Sequence, residues 1–248
     1  MQRLFIITTC IALSVLMLVS ASNSVFAQES PQTILIFTKT NGFRHESIPA
    51  GVEAFIELAD KNNIQAKHTE EVDFFNSDSL SNIDGIVFLS TSGDIFNNKQ
   101  QQALKQFVRS GGGVMGVHAA TTTEYNWPWF GNMLGAYFDQ HPRIQEARVH
   151  VKDPDHSSTS FLPSAWTRTD EWYNYKQISD DIHVLLELDE RTYEGGTNGA
   201  HHPIAWCHKY EGGHIFYTGL GHTIESYSEP LFRKHLEGGL RYILEAEE

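Results

Sequence analysis

Four polar segments, each placed directly after an apolar run, carry the side chains most able to do chemistry. Lys39-Thr40-Asn41-Gly42-Phe43-Arg44-His45-Glu46 follows the run ending at Thr38, and Ser90-Thr91-Ser92-Gly93-Asp94 follows Gly85–Leu89. His118-Ala119-Ala120-Thr121 follows Val114–Val117, and Gly219-Leu220-Gly221-His222 follows His214–Thr218. If the runs are strands of an open parallel sheet, His45, His118 and His222 converge on the edge where such sheets bind ligands. His118 sits in Gly116-Val117-His118-Ala119-Ala120, the small-residue setting of a strand-to-helix elbow. A nucleophile elbow normally presents Ser or Cys. An imidazole there suits general acid or base work, or metal ligation.

Arg44 beside His45 offers a fixed cation and a titratable group on one loop, suited to anchoring an oxygen-rich substrate. The loop has no Gly-rich nest, which argues against a phosphate cradle. Asp170-Glu171-Trp172-Tyr173-Asn174-Tyr175 interleaves acids with aromatics. Glu171 beside the faces of Trp172 and Tyr173 would suit a sugar ring, whose C–H face stacks on aromatics while its hydroxyls reach a carboxylate. A half-buried strand with its acids in water is the competing use. Two-carboxylate glycoside hydrolysis has only Asp94 with Glu171 as a pairing. His45, His118 and His222 as an open three-histidine zinc site is another reading, although no H-x-H or H-E-x-x-H spacing supports it. The expectation is therefore no metal and no cofactor, with zinc as the alternative. Of the adjacent His201 and His202, only one is expected to face the crevice. Cys207, mid-strand beside Trp206, lacks the setting of a nucleophile.

These residues need a scaffold, and the sequence alternates strand-like with helix-like segments. Thr33–Thr38 is too apolar to face water on either side, as a buried parallel strand is. Ile48, Val52, Phe55, Ile56 and Ala59 recur at helical spacing over about 48–62; Ser47 stands at the N-cap position and Pro49 in the first turn. Gly85–Leu89 is a second strand. Ala103, Leu104, Phe107 and Val108 form one face of a helix that stops at Gly111-Gly112-Gly113, before the strand Val114–Val117. Residues 121–199 read as an elaboration on the sheet, with Trp127 and Trp129 as core or, alternatively, a pocket wall. Ile204–His208 and His214–Thr218 flank Glu211-Gly212-Gly213 as a hairpin, and a helix over about 229–245 follows. The pattern predicts a doubly wound, mostly parallel, flavodoxin-like α/β sheet with a C-terminal β-hairpin.

Composition narrows the partners. The 248 residues carry 18 Lys plus Arg against 31 Asp plus Glu, a formal charge of −13, with no basic cluster to attract nucleic acid. Arg3, the apolar run Leu4–Val19 and Ser24-Val25-Phe26-Ala27 predict a signal peptide over 1–27 and one domain over 28–248. The mature chain is then expected outside the inner membrane, periplasmic or secreted, with no stable membrane association. With Cys10 in the signal, Cys207 is left as a lone thiol and no internal disulfide forms.

Gly42-Phe43-Arg44-His45, Gly111-Gly112-Gly113 leading to Gly116–Thr121, Asp170-Glu171-x-Tyr173, Pro203-Ile204-Ala205-Trp206 and Leu220-Gly221-His222, in that order, resemble the ThuA-like (trehalose-utilisation) family over about 33–244. The resemblance implies a fold similar to class I glutamine amidotransferases, with His118 where those enzymes hold their cysteine. That departure argues against thiol-based glutamine hydrolysis. It further implies carbohydrate use, on a disaccharide or a sugar oxidised to the 3-keto form. A ketone at C3 acidifies the C2 proton, so a histidine base could begin elimination or isomerisation. The expected assignment is His118 as base, Glu171 and His45 as acid or orienting groups, and Arg44, Asp94, Trp172, Tyr173, Trp206, His202 and His222 around a small carbohydrate. A non-catalytic sugar-binding module and a metal-dependent hydrolase are the other classes this sequence admits.

Overall fold

The apolar runs become neighbours in one sheet. The computed structural model describes residues 30–245, and the expected signal segment with Cys10 lies outside them. In chain order the elements are β1 (Thr33–Phe37), α1 (Ile48–Lys61), β2 (Gln65–Thr69), α2 (Ser77–Leu80), β3 (Gly85–Leu89), α3 (Asn98–Arg109) and β4 (Gly113–Val117). There follow α4 (Pro128–Leu134), β5 (Tyr137–Gln140), β6 (Gln145–Val151), β7 (Ala165–Asp170), β8 (Asn174–Lys176) and β9 (His183–Leu188). The hairpin β10 (Pro203–Tyr210) and β11 (Gly213–Thr218) precedes α5 (Pro230–Leu244).

Nine strands form one sheet in the order β2-β1-β3-β4-β11-β10-β9-β6-β7, while β5 and β8 pair separately. From β2 to β11 every pairing is parallel, and β10, β9, β6 and β7 continue the sheet antiparallel. The irregular middle of the sequence is thus mostly the antiparallel extension. Every residue of β1, β3, β4 and β11 is buried, as strands covered on both faces must be. Edge strand β2, which reads Gln-Ala-Lys-His-Thr, is largely exposed, and its polar side chains discourage pairing with another chain.

Helices cover both faces. Side chains at the end of α5 lie over Gly85 and Gly113, and the α1 residue Gly51 packs under Leu89 and Tyr227. On the other face, Leu134 of α4 lies against Gly116 and Val108 of α3 against Gly213. Asn97 caps α3 by accepting from the backbone N–H groups of Lys99 and Gln100, and Gln100 reciprocates in a capping box. Ser47 makes no such cap for α1. Its hydroxyl donates instead to the Gly221 carbonyl at 3.3 Å, tying the start of α1 to the loop that carries His222. The glycine run after α3 has two steric reasons: Gly111 adopts φ +93°, and a Cβ at Gly113 would collide with the Ile243 carbonyl. Trp127 and Trp129 stack on one another, buried beneath the Lys105 ammonium, as core residues.

Candidate functional site

Each polar segment leaves the carboxyl end of a strand, and the backbone bends sharply where two of them start. Ser90 after β3 and His118 after β4 both take φ +48°, a conformation that costs a non-glycine residue about 1–3 kcal/mol and often marks functional sites. The strain at His118 is held by the Tyr217 hydroxyl, which donates to the His118 carbonyl at 2.8 Å, and by close packing at Gly116, where a Cβ would press on Tyr217, Leu134 and Ala120. The elbow turns directly into a 3₁₀ turn over His118–Thr122.

His45, His118, Glu171 and His222 come together there, one donor atom from each lying within 4.8 Å of the others. They arrive from four places: the β1–α1 loop, the end of β4, the link between β7 and β8, and the loop before α5. The His118 Nδ1–H donates to the Gly219 carbonyl at 2.9 Å, which turns Nε2 toward the cluster. That Nε2 lies 3.1 Å from Nδ1 of His222 and 3.4 Å from Oε2 of Glu171, and His222 Nδ1 is 3.1 Å from the same carboxylate oxygen. The second Glu171 oxygen is 3.1 Å from Nδ1 of His141.

Charge is distributed unevenly over the cluster. Burial, helped by the nearby His118 and His222 rings, pushes the His45 pKa down to about 3, so this ring is neutral at physiological pH. For Glu171, burial acts upward, but hydrogen bonds from His118 and His222 and their charges prevail and hold the carboxyl well below its usual range. For His222, burial acts downward, and the bond to Glu171 with its negative charge outweighs it and raises the pKa. The result is a fixed anion flanked by one imidazole that favours its proton and one that refuses it.

A cavity of about 460 Å³ opens over the cluster, lined by His45, Glu171 and His222 together with His141, Tyr173, Phe138, Tyr125, Phe43, Gly42, Ser92, Gly93 and Thr122. That volume falls in the roughly 300–1,000 Å³ range of small-molecule sites. Phe43 is 70 % exposed at the rim, and the Tyr173 ring lies between those of His118, at 4.2 Å, and Phe138, at 4.3 Å.

Several residues expected at the substrate lie elsewhere. His118 itself is fully buried behind the lining residues, its ring enclosed by Tyr173, His45 and His222. The Trp172 indole is turned into the core, where Nε1 donates to the Gln145 carbonyl at 2.8 Å. Trp206 is likewise core, donating to the Leu134 carbonyl at 2.8 Å and packing on Tyr217. His202 is buried below the site, with Nε2 donating to the Tyr173 carbonyl at 2.8 Å and Nδ1 2.8 Å from Glu190. Its neighbour His201 is exposed beside Glu187, and neither ring lines the cavity. Arg44 gives its guanidinium to Glu70 at 2.7 Å, and the Asp94 carboxylate accepts from Asn126; neither lines the cavity, whose lining holds Glu171 as its carboxylate. The Cys207 thiol is buried in β10, and burial raises its pKa to about 11. That excludes a resting thiolate.

His141, Phe138 and Tyr125 are the functional candidates that sequence reasoning missed. They lie in the irregular middle segment, where no strand end pointed to them.

Solved structures share this architecture. A ThuA-like protein from Bacteroides uniformis is 22 % identical with a TM-score of 0.74, covering 87 % of this chain and 92 % of that one. A ThuA-like protein from Parabacteroides merdae is 19 % identical with a TM-score of 0.70, covering 86 % and 90 %. A GMP synthase component from Thermoplasma acidophilum is 14 % identical with a TM-score of 0.53, covering 85 % and 94 %, which relates the fold to that of glutamine amidotransferases. A comparison with curated proteins finds no match. The family model described as trehalose utilisation matches residues 33–243, nearly the whole described fold, and the chain therefore belongs to the ThuA family.

Proposed function

We propose that this protein is an enzyme acting on a carbohydrate in the cavity, by imidazole proton transfer beside a carbonyl group, as in a sugar oxidised to its 3-keto form. The observation that carries the reading is the chemical makeup of the lining: three imidazoles, His45, His141 and His222, with a single carboxylate, Glu171, under aromatic walls. Hydrolysis by two carboxylates needs a second one about 5–10 Å away. The lining provides none. The family's link to trehalose utilisation supports the substrate class, and the apolar N-terminal segment supports action outside the inner membrane.

In this reading His141, half-exposed and held against Glu171, removes the proton at C2 of the keto-sugar. The C–H electron pair forms the enolate, whose oxygen is stabilised by His222 in its protonated form. Collapse of the enolate makes the C1–C2 double bond, breaks the bond from C1 to the anomeric oxygen, and returns a proton to that oxygen. His118 acts through others: its bond to Gly219 fixes the ring that orients His222 and Glu171. The test is an NMR time course with a disaccharide and, separately, its 3-keto derivative, using the wild type and His141→Ala. Turnover of the keto-sugar that falls at least 100-fold in the variant is expected. Unchanged spectra for both sugars would sink the enzyme reading, and line broadening without turnover would make the cavity a binding site.

A further inference from the structure

We infer that His45, His118, Glu171 and His222 together hold one divalent first-row transition-metal ion, with an open coordination position facing the cavity. This rests on the same site as the proposed function but not on the sugar chemistry.

The spacing of the donor atoms matches such an ion. Donor atoms on a five-coordinate ion, four from the protein and one position open, with bonds of about 2.0–2.2 Å, sit roughly 2.8–3.8 Å apart. The three contacts among His118 Nε2, His222 Nδ1 and Glu171 Oε2 are 3.1, 3.1 and 3.4 Å, close to the edges of that polyhedron. A ring nitrogen of His45 completes the set within 4.8 Å.

The hydrogen bonds around the cluster also turn lone pairs inward. Metal-bound imidazoles usually donate their other N–H to a carbonyl or carboxylate, which fixes the tautomer. His118 does so to Gly219, presenting a lone pair inward. His45 is only 5 % exposed, and among the described residues its Nδ1 has no hydrogen-bond partner, an arrangement that costs about 1–3 kcal/mol unless something satisfies the ring. Glu171 keeps Oε2 on the cluster while Oε1 meets His141, the outer contact expected of a ligating carboxylate. Three imidazoles with one carboxylate suit Zn²⁺, Fe²⁺, Ni²⁺ or Mn²⁺, whereas Mg²⁺ and Ca²⁺ prefer all-oxygen sites.

The cluster is accessible from one side. His118 is sealed in, but His45, Glu171 and His222 also line the cavity, so the remaining coordination position opens to a ligand. A sugar carbonyl or hydroxyl oxygen placed there would be polarised by the ion, which would take the place of the His222 imidazolium in stabilising the enolate, since a ligating imidazole gives up that proton.

The full chain, stripped with chelator and dialysed, should take up one equivalent of Co²⁺ without any sugar present, giving d–d absorption, and one equivalent of Zn²⁺ by elemental analysis. Uptake should weaken at least 10-fold in Glu171→Gln and in His118→Ala and remain unchanged in the exposed control His201→Ala. Circular dichroism and a thermal melt verify that each variant is folded, and the isosteric Glu171→Gln keeps the test alive if His118→Ala is not. No stoichiometric uptake by the wild type, or equal uptake by folded Glu171→Gln, overturns the inference. Sugar turnover by a wild type that takes up no metal overturns it while sparing the proposed function; uptake without turnover does the converse.

Discussion

The carboxylate of Asp170 accepts the backbone N–H of His222 at 3.1 Å and, through the same oxygen, that of Glu171 at 3.0 Å. Its other oxygen accepts from Gly221 at 3.0 Å and meets the Arg168 guanidinium at 3.0 Å. One buried side chain therefore fixes the backbone of two cluster residues that lie far apart in the sequence. Replacing Asp170 with Asn keeps the shape but removes one of the two carboxylates that meet the buried Arg168, leaving Glu229 at 3.4 Å. A loss of about 1.5–3 kcal/mol is expected, the worth of a charge-assisted hydrogen bond, read as a lower urea midpoint with unchanged slope, and the same variant should lose activity beyond what its unfolded fraction explains.

Acid should destabilise the fold through its neutral buried histidines. His235 donates from Nδ1 to the Ser158 carbonyl and accepts at Nε2 from Thr218, and burial, with smaller contributions from Arg168 and His156, lowers its pKa from 6.5 to about 4. The unfolded chain binds the proton first. The stabilising contribution is therefore complete above about pH 6.5 and disappears as pH falls toward 4. For His45 the loss runs on toward about pH 3. His235→Gln should flatten the fall in urea-unfolding free energy between pH 6.5 and 4; an unchanged slope would refute the assignment.

Phe43 is exposed at the cavity rim and packs edge-on against the His45 ring at 4.8 Å. Phe43→Ala should leave stability within about 0.5 kcal/mol, as expected of a surface change. Losing a stacking face worth about 0.5–1.5 kcal/mol raises KM roughly 2- to 12-fold while kcat stays constant. Steady-state kinetics on the keto-sugar provide the check, and a change confined to kcat would contradict the platform role.

Gly113→Ala tests the close approach of α5 to β4. The added Cβ meets the Ile243 backbone carbonyl, which has no rotamer by which to yield. The expected loss is about 3 kcal/mol, at the upper end of overpacking costs. It is measured as a drop in Tm against Gly111→Ala, whose Cβ has nothing within 4 Å and which suffers from its φ of +93° alone.

The sequence made the parallel half legible because strands buried on both faces are continuous apolar runs, and the histidines at their ends followed from strand polarity. The links between Asp170 and Tyr173 were harder. Adjacent residues of an extended chain point to opposite sides, and here Glu171 and Tyr173 line the cavity while Trp172 enters the core. Counting all three as substrate contacts ignored that alternation. Arg44 and Asp94 followed the right strands, but Glu70 and Asn126, remote in sequence, claim their charged groups. His141 was invisible for a related reason: it precedes β6, whose place in the sheet depends on pairing with β7 and β9 rather than on local pattern.

The position of β11 has a consequence for synthesis. It lies between β4 and β10, although it is the last strand to leave the ribosome. Until residues 213–218 emerge, the parallel and antiparallel halves have no strand to join them, and the facing edges of β4 and β10 remain open to pairing with other chains. A nascent chain stalled before Gly213 should be an aggregation-prone client of chaperones. The loop bearing His222 follows immediately, so the reactive cluster is completed only when the sheet is.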